Sequence, residues 1–119
     1  MKLSKNFRQA EFACNCGKCG DFMMDVGFIM KLQRVRTQIG QPMRVNSGYR
    51  CAAHNAAVGG SRRSQHLLGK AADIHCPTSE YRDRLVKLAT EAGLTGIGVY
   101  INFVHLDMRD ADPVQWVGQ

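Results

Sequence analysis

Apolar residues at Phe28, Ile29, Leu32, Val35 and Ile39 recur at the spacing that stacks side chains along one face of a helix. The pattern predicts a helix from about Asp25 to Ile39, with Asp25 near its start and Gly40 as its stop. A second stripe, Tyr81, Leu85, Leu88 and Ala92, follows Pro77-Thr78 and ends at Gly93, so a second helix is expected there with Thr78 as its cap. Between the two, Pro42 breaks the chain and Met43 to Val45 reads as a short strand. The stretch CAAHNAAVGG, from Cys51, reads as one or two helical turns ended by Gly59-Gly60. Ala71 to His75 suits a buried strand. GIGVYINFVHLDMR, from Gly96 to Arg109, holds two β-rich runs around a tight link at Ile101-Asn102, where asparagine tolerates a hairpin turn. Helices interleaved with short strands predict an α+β fold, a small antiparallel sheet packed with helices. No repeat or linker interrupts the chain, so residues 1–119 are read as one domain.

Composition narrows the class. The 119 residues are 45% hydrophobic and 22% charged, as in soluble globular proteins. No run approaches the roughly 18 apolar residues of a membrane span. The lead MKLSKNFRQAEF lacks the apolar stretch of a secretory signal, so synthesis in the cytoplasm is expected. A net charge of +6 favours an anionic partner. The basic residues are scattered, however, with Arg34, Arg36, Arg62, Arg63, Lys70, Arg82, Arg84 and Lys87 forming no block, and nucleic acid is not the expected partner.

Two sets of residues carry candidate metal chemistry. Five cysteines, three of them in CNCGKC, do not make a secreted disulfide framework. Cys14, Cys16 and Cys19 resemble part of a thiolate zinc site, to which Cys51 could add a fourth ligand; a disulfide within the set and plain thiols are the alternatives. The second set is His66, Asp73 and His105. Asp73 lies among small and apolar residues, where a carboxylate is costly to bury without a cation or donors. His105 alternates with Val104 and Leu106, which places it on one strand face with Phe103 and Asp107. Spacing alone leaves this site open. His75 shares a strand face with Asp73, and His54 is a further imidazole.

SGYR (Ser47–Arg50), HNAAVGG (His54–Gly60), SQHLLGKAADI (Ser64–Ile74), GIGVY and FVHLDMR together resemble the zinc D-Ala-D-Ala carboxypeptidase family. Its small phage endolysin members are the most similar in type, and it shares its fold with the hedgehog signalling domain. The resemblance runs from about Phe7 to Arg109. It implies a hedgehog/DD-peptidase-like fold and one catalytic zinc held by His66, Asp73 and His105. It also implies Arg50 beside the metal, holding or polarising a substrate oxygen, and Ser64 near the substrate's terminal carboxylate. The implied substrate is a peptidoglycan stem peptide, cut by a monomer that reaches the wall after release.

One position departs from the family pattern. Many relatives carry an acidic residue or histidine three places before the last ligand, as general base; here that place is Asn102, whose amide takes no proton near neutral pH. Asp107 is the leading substitute, with a role in orienting a ligand imidazole as its alternative reading. His54 and His75 stand further off. The departure keeps a competing function in view, a zinc-containing wall-binding or virion module without catalysis. A small zinc-knuckle nucleic-acid binder would explain CNCGKC and leave the His66, Asp73, His105 set unexplained.

Overall fold

The computed structural model describes residues 1–118. The first apolar stripe forms helix α1 (Val26–Ile39), and its five apolar positions are all buried. Phe28 N donates to the Asp25 carboxylate at the N-cap, and Gly40 closes the helix in the left-handed conformation, φ 65°. Thr78 caps α3 (Ser79–Glu91) in the same way, by accepting from Tyr81 N. The short helix α2 (Ala52–Ala57) lies between them.

Five strands make one sheet in the order β1 (Val45–Ser47), β2 (Ala71–His75), β4 (Phe103–Asp107), β3 (Gly96–Val99) and β5 (Val114–Val117). β1, β2, β4 and β3 pair antiparallel, with β3 and β4 forming the expected hairpin. Two details differ from the sequence expectation. The first strand is Val45–Ser47 rather than Met43–Val45, because the ladder to β2 begins at Val45 while Met43 turns into the core. A fifth strand, β5, joins the edge parallel to β3 and makes the sheet mixed. Its residues are mostly exposed, so alternation gave little signal there.

The pleat sorts the sheet into two faces. Ala72, Ile74, Ile97, Val104 and Leu106 belong to one buried cluster with Phe28, Leu32, Val35 and Leu85 of the helices. Phe7 and Phe12 join this core and meet edge to face, 5.5 Å between ring centroids. The helices are tied by Tyr81 Oη donating to the Pro42 carbonyl (2.7 Å) and Arg84 to that of Gln38 (3.1 Å). Asp73, His105 and Asp107 take the opposite face. Across the strands, Ser47, Asp73, His105, Gly98 and Trp116 fall in one row.

Candidate metal centre

That row builds most of the site. Asp73 and His105 are direct neighbours across β2 and β4, which brings His105 Nδ1 to 3.1 Å from Asp73 Oδ1. His66 comes from a 3-10 turn, Gln65–Leu68, that Ser64 caps by accepting from His66 N. The left-handed Gly69 (φ 68°) ends the turn. A side chain at Gly69 would run into the Met23 backbone, so the turn requires glycine there. The turn places His66 Nε2 3.3 Å from the same Asp73 oxygen. Donor atoms of the three residues all lie within 4.8 Å of one another. Tetrahedral bonds of about 2.0–2.1 Å give ligand-to-ligand edges of about 3.3 Å, close to the 3.1 and 3.3 Å that separate Asp73 Oδ1 from the two imidazole nitrogens.

The far sides of the rings show which atoms face inward. His66 Nδ1 donates to the Gly48 carbonyl at 2.7 Å, which leaves Nε2 to face Asp73. That nitrogen can meet the carboxylate through a proton or through a cation held between them. His105 Nε2 meets Asp107 Oδ2 at 2.7 Å, which leaves Nδ1 for the centre. Asp73 Oδ2 accepts from Arg50 Nη2 at 3.2 Å, so Oδ1 alone points at both imidazoles. Arg50 also donates to Ser47 Oγ and reaches Asn55, a buried residue that donates to the Ser61 carbonyl.

Titration follows this geometry. Burial works against ionising Asp73, but hydrogen bonds from His105 and His66 and their charges outweigh it and hold the carboxyl below the usual carboxylate range. Burial also opposes charging His105; its bonds to Asp107 and Asp73 prevail and raise its pKa above the ordinary histidine value. Burial would raise Asp107 as well, yet His105 and Arg109 keep it well below its usual range.

The three donors sit in a cleft of about 520 Å³. Arg50, Arg63 and Arg109 line it together with Ser64, and Tyr100, Phe103 and Trp116 supply an aromatic wall. Trp116 Nε1 donates to Tyr100 Oη (3.1 Å), Tyr100 stacks on Phe103 with 4.3 Å between centroids, and the indole lies 5.3 Å from His105. Gly98 makes room for it, since a Cβ there would sit 2.6 Å from the indole. Among the described residues, Asp73 is the one carboxylate in the cleft wall.

The remaining sequence candidates fall elsewhere. Asn102 lies on the exposed β3–β4 link, outside the cleft lining. His54 and His75 do not join the His66, Asp73, His105 group. Asp107 is fully buried behind His105, with both oxygens engaged: Oδ2 by His105 and Arg109 Nη2 (2.6 Å), Oδ1 by Arg109 N and Nε. Sequence reasoning missed Tyr100, Trp116, Arg109 and Asn55. The Gly-x-Gly of β3 held a signal for Trp116, because paired glycines on one strand face mark space reserved for a neighbour.

Two imidazoles and a carboxylate converging in an open cleft are a donor set of the kind used by hydrolytic metal centres. A peptidase M15 family model matches residues 5–107, and the chain belongs to that family. Over 45 residues, 37% of this chain, it is 44% identical to the zinc D-Ala-D-Ala carboxypeptidase of Streptomyces albus G; the match takes in 18% of that protein's length.

Proposed function

We propose that this chain is a zinc peptidase hydrolysing peptide bonds in peptidoglycan stem peptides, with His66 Nε2, Asp73 Oδ1 and His105 Nδ1 as the metal ligands. The observation that carries the proposal is the convergence of those three atoms within 4.8 Å of one another, each held from behind. A bound zinc supplies Lewis acidity, acidifying water toward a pKa of about 7 and polarising a carbonyl.

The protein's own groups do the rest. Gly48 O fixes the His66 tautomer and Asp107 that of His105, leaving the inward nitrogens unprotonated for the ion. Arg50 aligns Asp73 and presents its guanidinium to the oxyanion that forms at the scissile carbon, a contribution of roughly 3–4 kcal/mol for a well-placed donor. The Tyr100 hydroxyl, accepting from Trp116, keeps its own hydrogen for a substrate oxygen. Arg63 and Ser64, on the rim, suit the carboxylate of a stem peptide. An endolysin-type role, acting on the wall from inside the cell after release, fits a basic chain meeting an anionic polymer.

One observation favours a second reading. Among the described residues the cleft lining offers no carboxylate beyond Asp73, and Asn102 supplies none, which suits a metal-containing wall-binding module without catalysis. Turbidity of outer-membrane-stripped cells separates the two. The peptidase clears them, stops when chelated and recovers with zinc, and His66→Ala is inactive. A wild-type chain that binds wall without clearing it, and that releases neither free alanine nor new peptide termini by mass spectrometry of the treated wall, is the module.

A further inference from the structure

The cysteines of the N-terminal knuckle lie away from the cleft lining and form a second cluster. Cys14, Cys16 and Cys19 meet Cys51, the N-cap of α2, with all four sulfurs within 4.8 Å of one another. All four are free thiols. Zinc–sulfur bonds of about 2.3 Å give a tetrahedron with edges of about 3.8 Å; here the Cys16 and Cys19 sulfurs are 3.3 Å apart and no pair of the four exceeds 4.8 Å.

The backbone is arranged around the sulfurs as acceptors. Lys18 N and Cys19 N point at Cys16 Sγ (3.4 and 3.3 Å), and Asp21 N at Cys19 Sγ (3.3 Å). Cys51 N points at Cys14 Sγ and His54 N at Cys51 Sγ, each at 3.4 Å. Every sulfur of the set therefore receives at least one N–H. Gly17 and Gly20, at φ 74° and 61°, make the turns that aim these donors. N–H groups converging on four sulfurs offset the charge of four thiolates around one divalent ion, a net of −2. Two disulfides would carry no such charge. Cys76 stands apart, its Sγ near the Ile74 carbonyl.

We infer that Cys14, Cys16, Cys19 and Cys51 form a closed tetrathiolate zinc site that clamps the N-terminal segment to the loop bearing Arg50. The loop shows why the clamp matters. Cys51 follows Arg50 directly, Arg50 N donates to the His66 carbonyl, and Tyr49 N donates to that of Phe12. Gly48, whose carbonyl orients His66, packs so tightly on Phe12 that a side chain there would collide with its backbone. The four-residue stretch Gly48–Cys51 is thus fixed by the knuckle on one side and fixes His66 and Arg50 on the other. The ion is a positioning element for the cleft, with no open coordination place of its own.

The test is metal analysis of the full chain, expressed with zinc and purified under reductant, alongside His66→Ala and the double variant Cys16→Ser/Cys19→Ser. Wild type is expected to carry two zinc ions, and each variant one. Cobalt-loaded His66→Ala shows the intense near-ultraviolet thiolate-to-cobalt charge transfer of a tetrathiolate centre. Its four knuckle thiols resist alkylation until the metal is stripped. If the double cysteine variant is soluble, it keeps the cleft zinc but loses kcat by on the order of tenfold to a hundredfold, as a displaced Arg50 requires. Should it fail to fold, wild type and His66→Ala decide alone. A His66→Ala chain with no zinc, and with freely alkylated thiols or mapped disulfides, overturns the inference. A wild type with one zinc that survives in His66→Ala supports the thiolate site and sinks the cleft proposal instead.

Discussion

Replacing Asp107 with asparagine separates two roles for a single carboxylate. The side chain is fully buried, and its oxygens take four hydrogen bonds: one from His105 at 2.7 Å and three from Arg109 at 2.6, 3.0 and 3.1 Å. Asparagine has the same shape, so no cavity opens, but its amide turns a donor toward groups that are themselves donors. His105 then gains by moving its proton from Nε2 to Nδ1, the atom that faces Asp73. Losing an orienting carboxylate of this kind costs about 10–100-fold in metal affinity, which is about 1.4–2.7 kcal/mol. Stability falls too, by about 1–3 kcal/mol for the buried donors left unmatched. The assay is zinc affinity by chelator competition, with peptidoglycan hydrolysis measured at saturating zinc. The orienting role predicts weakened affinity and substantial activity once the site is filled. Unchanged affinity with abolished activity at saturating zinc would make Asp107 the proton acceptor and refute the reasoning.

Gly98→Ala should push the Trp116 indole out of its place beside His105, quench or shift tryptophan fluorescence and raise KM, with zinc content unchanged; lost zinc would show that the indole wall supports the metal itself. The pH dependence of the metal-free chain has a definite sign. Asp73 and Asp107 have lowered pKa values, so their stabilisation is present above about pH 4 and lost as acid protonates them; His105 is raised, so its share is present below about pH 6.5 and lost as pH climbs past its folded value. Thermal melts of chelated protein should therefore peak between those limits, and zinc should add most stability near and above neutrality, where protons no longer compete for the imidazoles. A chelated protein with a pH-independent Tm across this range contradicts the electrostatic reading.

The helices were legible because each carries its own period and its own stop. Asp25, Gly40 and Thr78 do in the structure what local chemistry predicts of them. The hairpin was legible for the same reason, and so was the common face of His105 and Asp107. The meeting of Asp73 with His105 depends on register between strands separated by all of α3, which spacing along the chain does not encode. Family resemblance brought those residues together; periodicity did not. β5 escaped because a parallel edge strand with exposed side chains has no alternation to read. Trp116 therefore went unplaced, although the two glycines of β3 had already cleared a space on that face. Asp107 carried two readings from the sequence, proton acceptor or orienter of His105, because a carboxylate two residues from a histidine can face the cleft or back it; the Arg109 ion pair behind it fits the second.

Zinc binding at the cleft turns on one small volume between two rings and a carboxylate. Anomalous diffraction at the zinc edge from crystals of the zinc-loaded chain looks there directly. The expected map has a peak about 2.0–2.2 Å from His66 Nε2, Asp73 Oδ1 and His105 Nδ1, with a further position open toward the cleft. A zinc-loaded crystal with no density at that point, or with those side chains turned to separate partners, contradicts it.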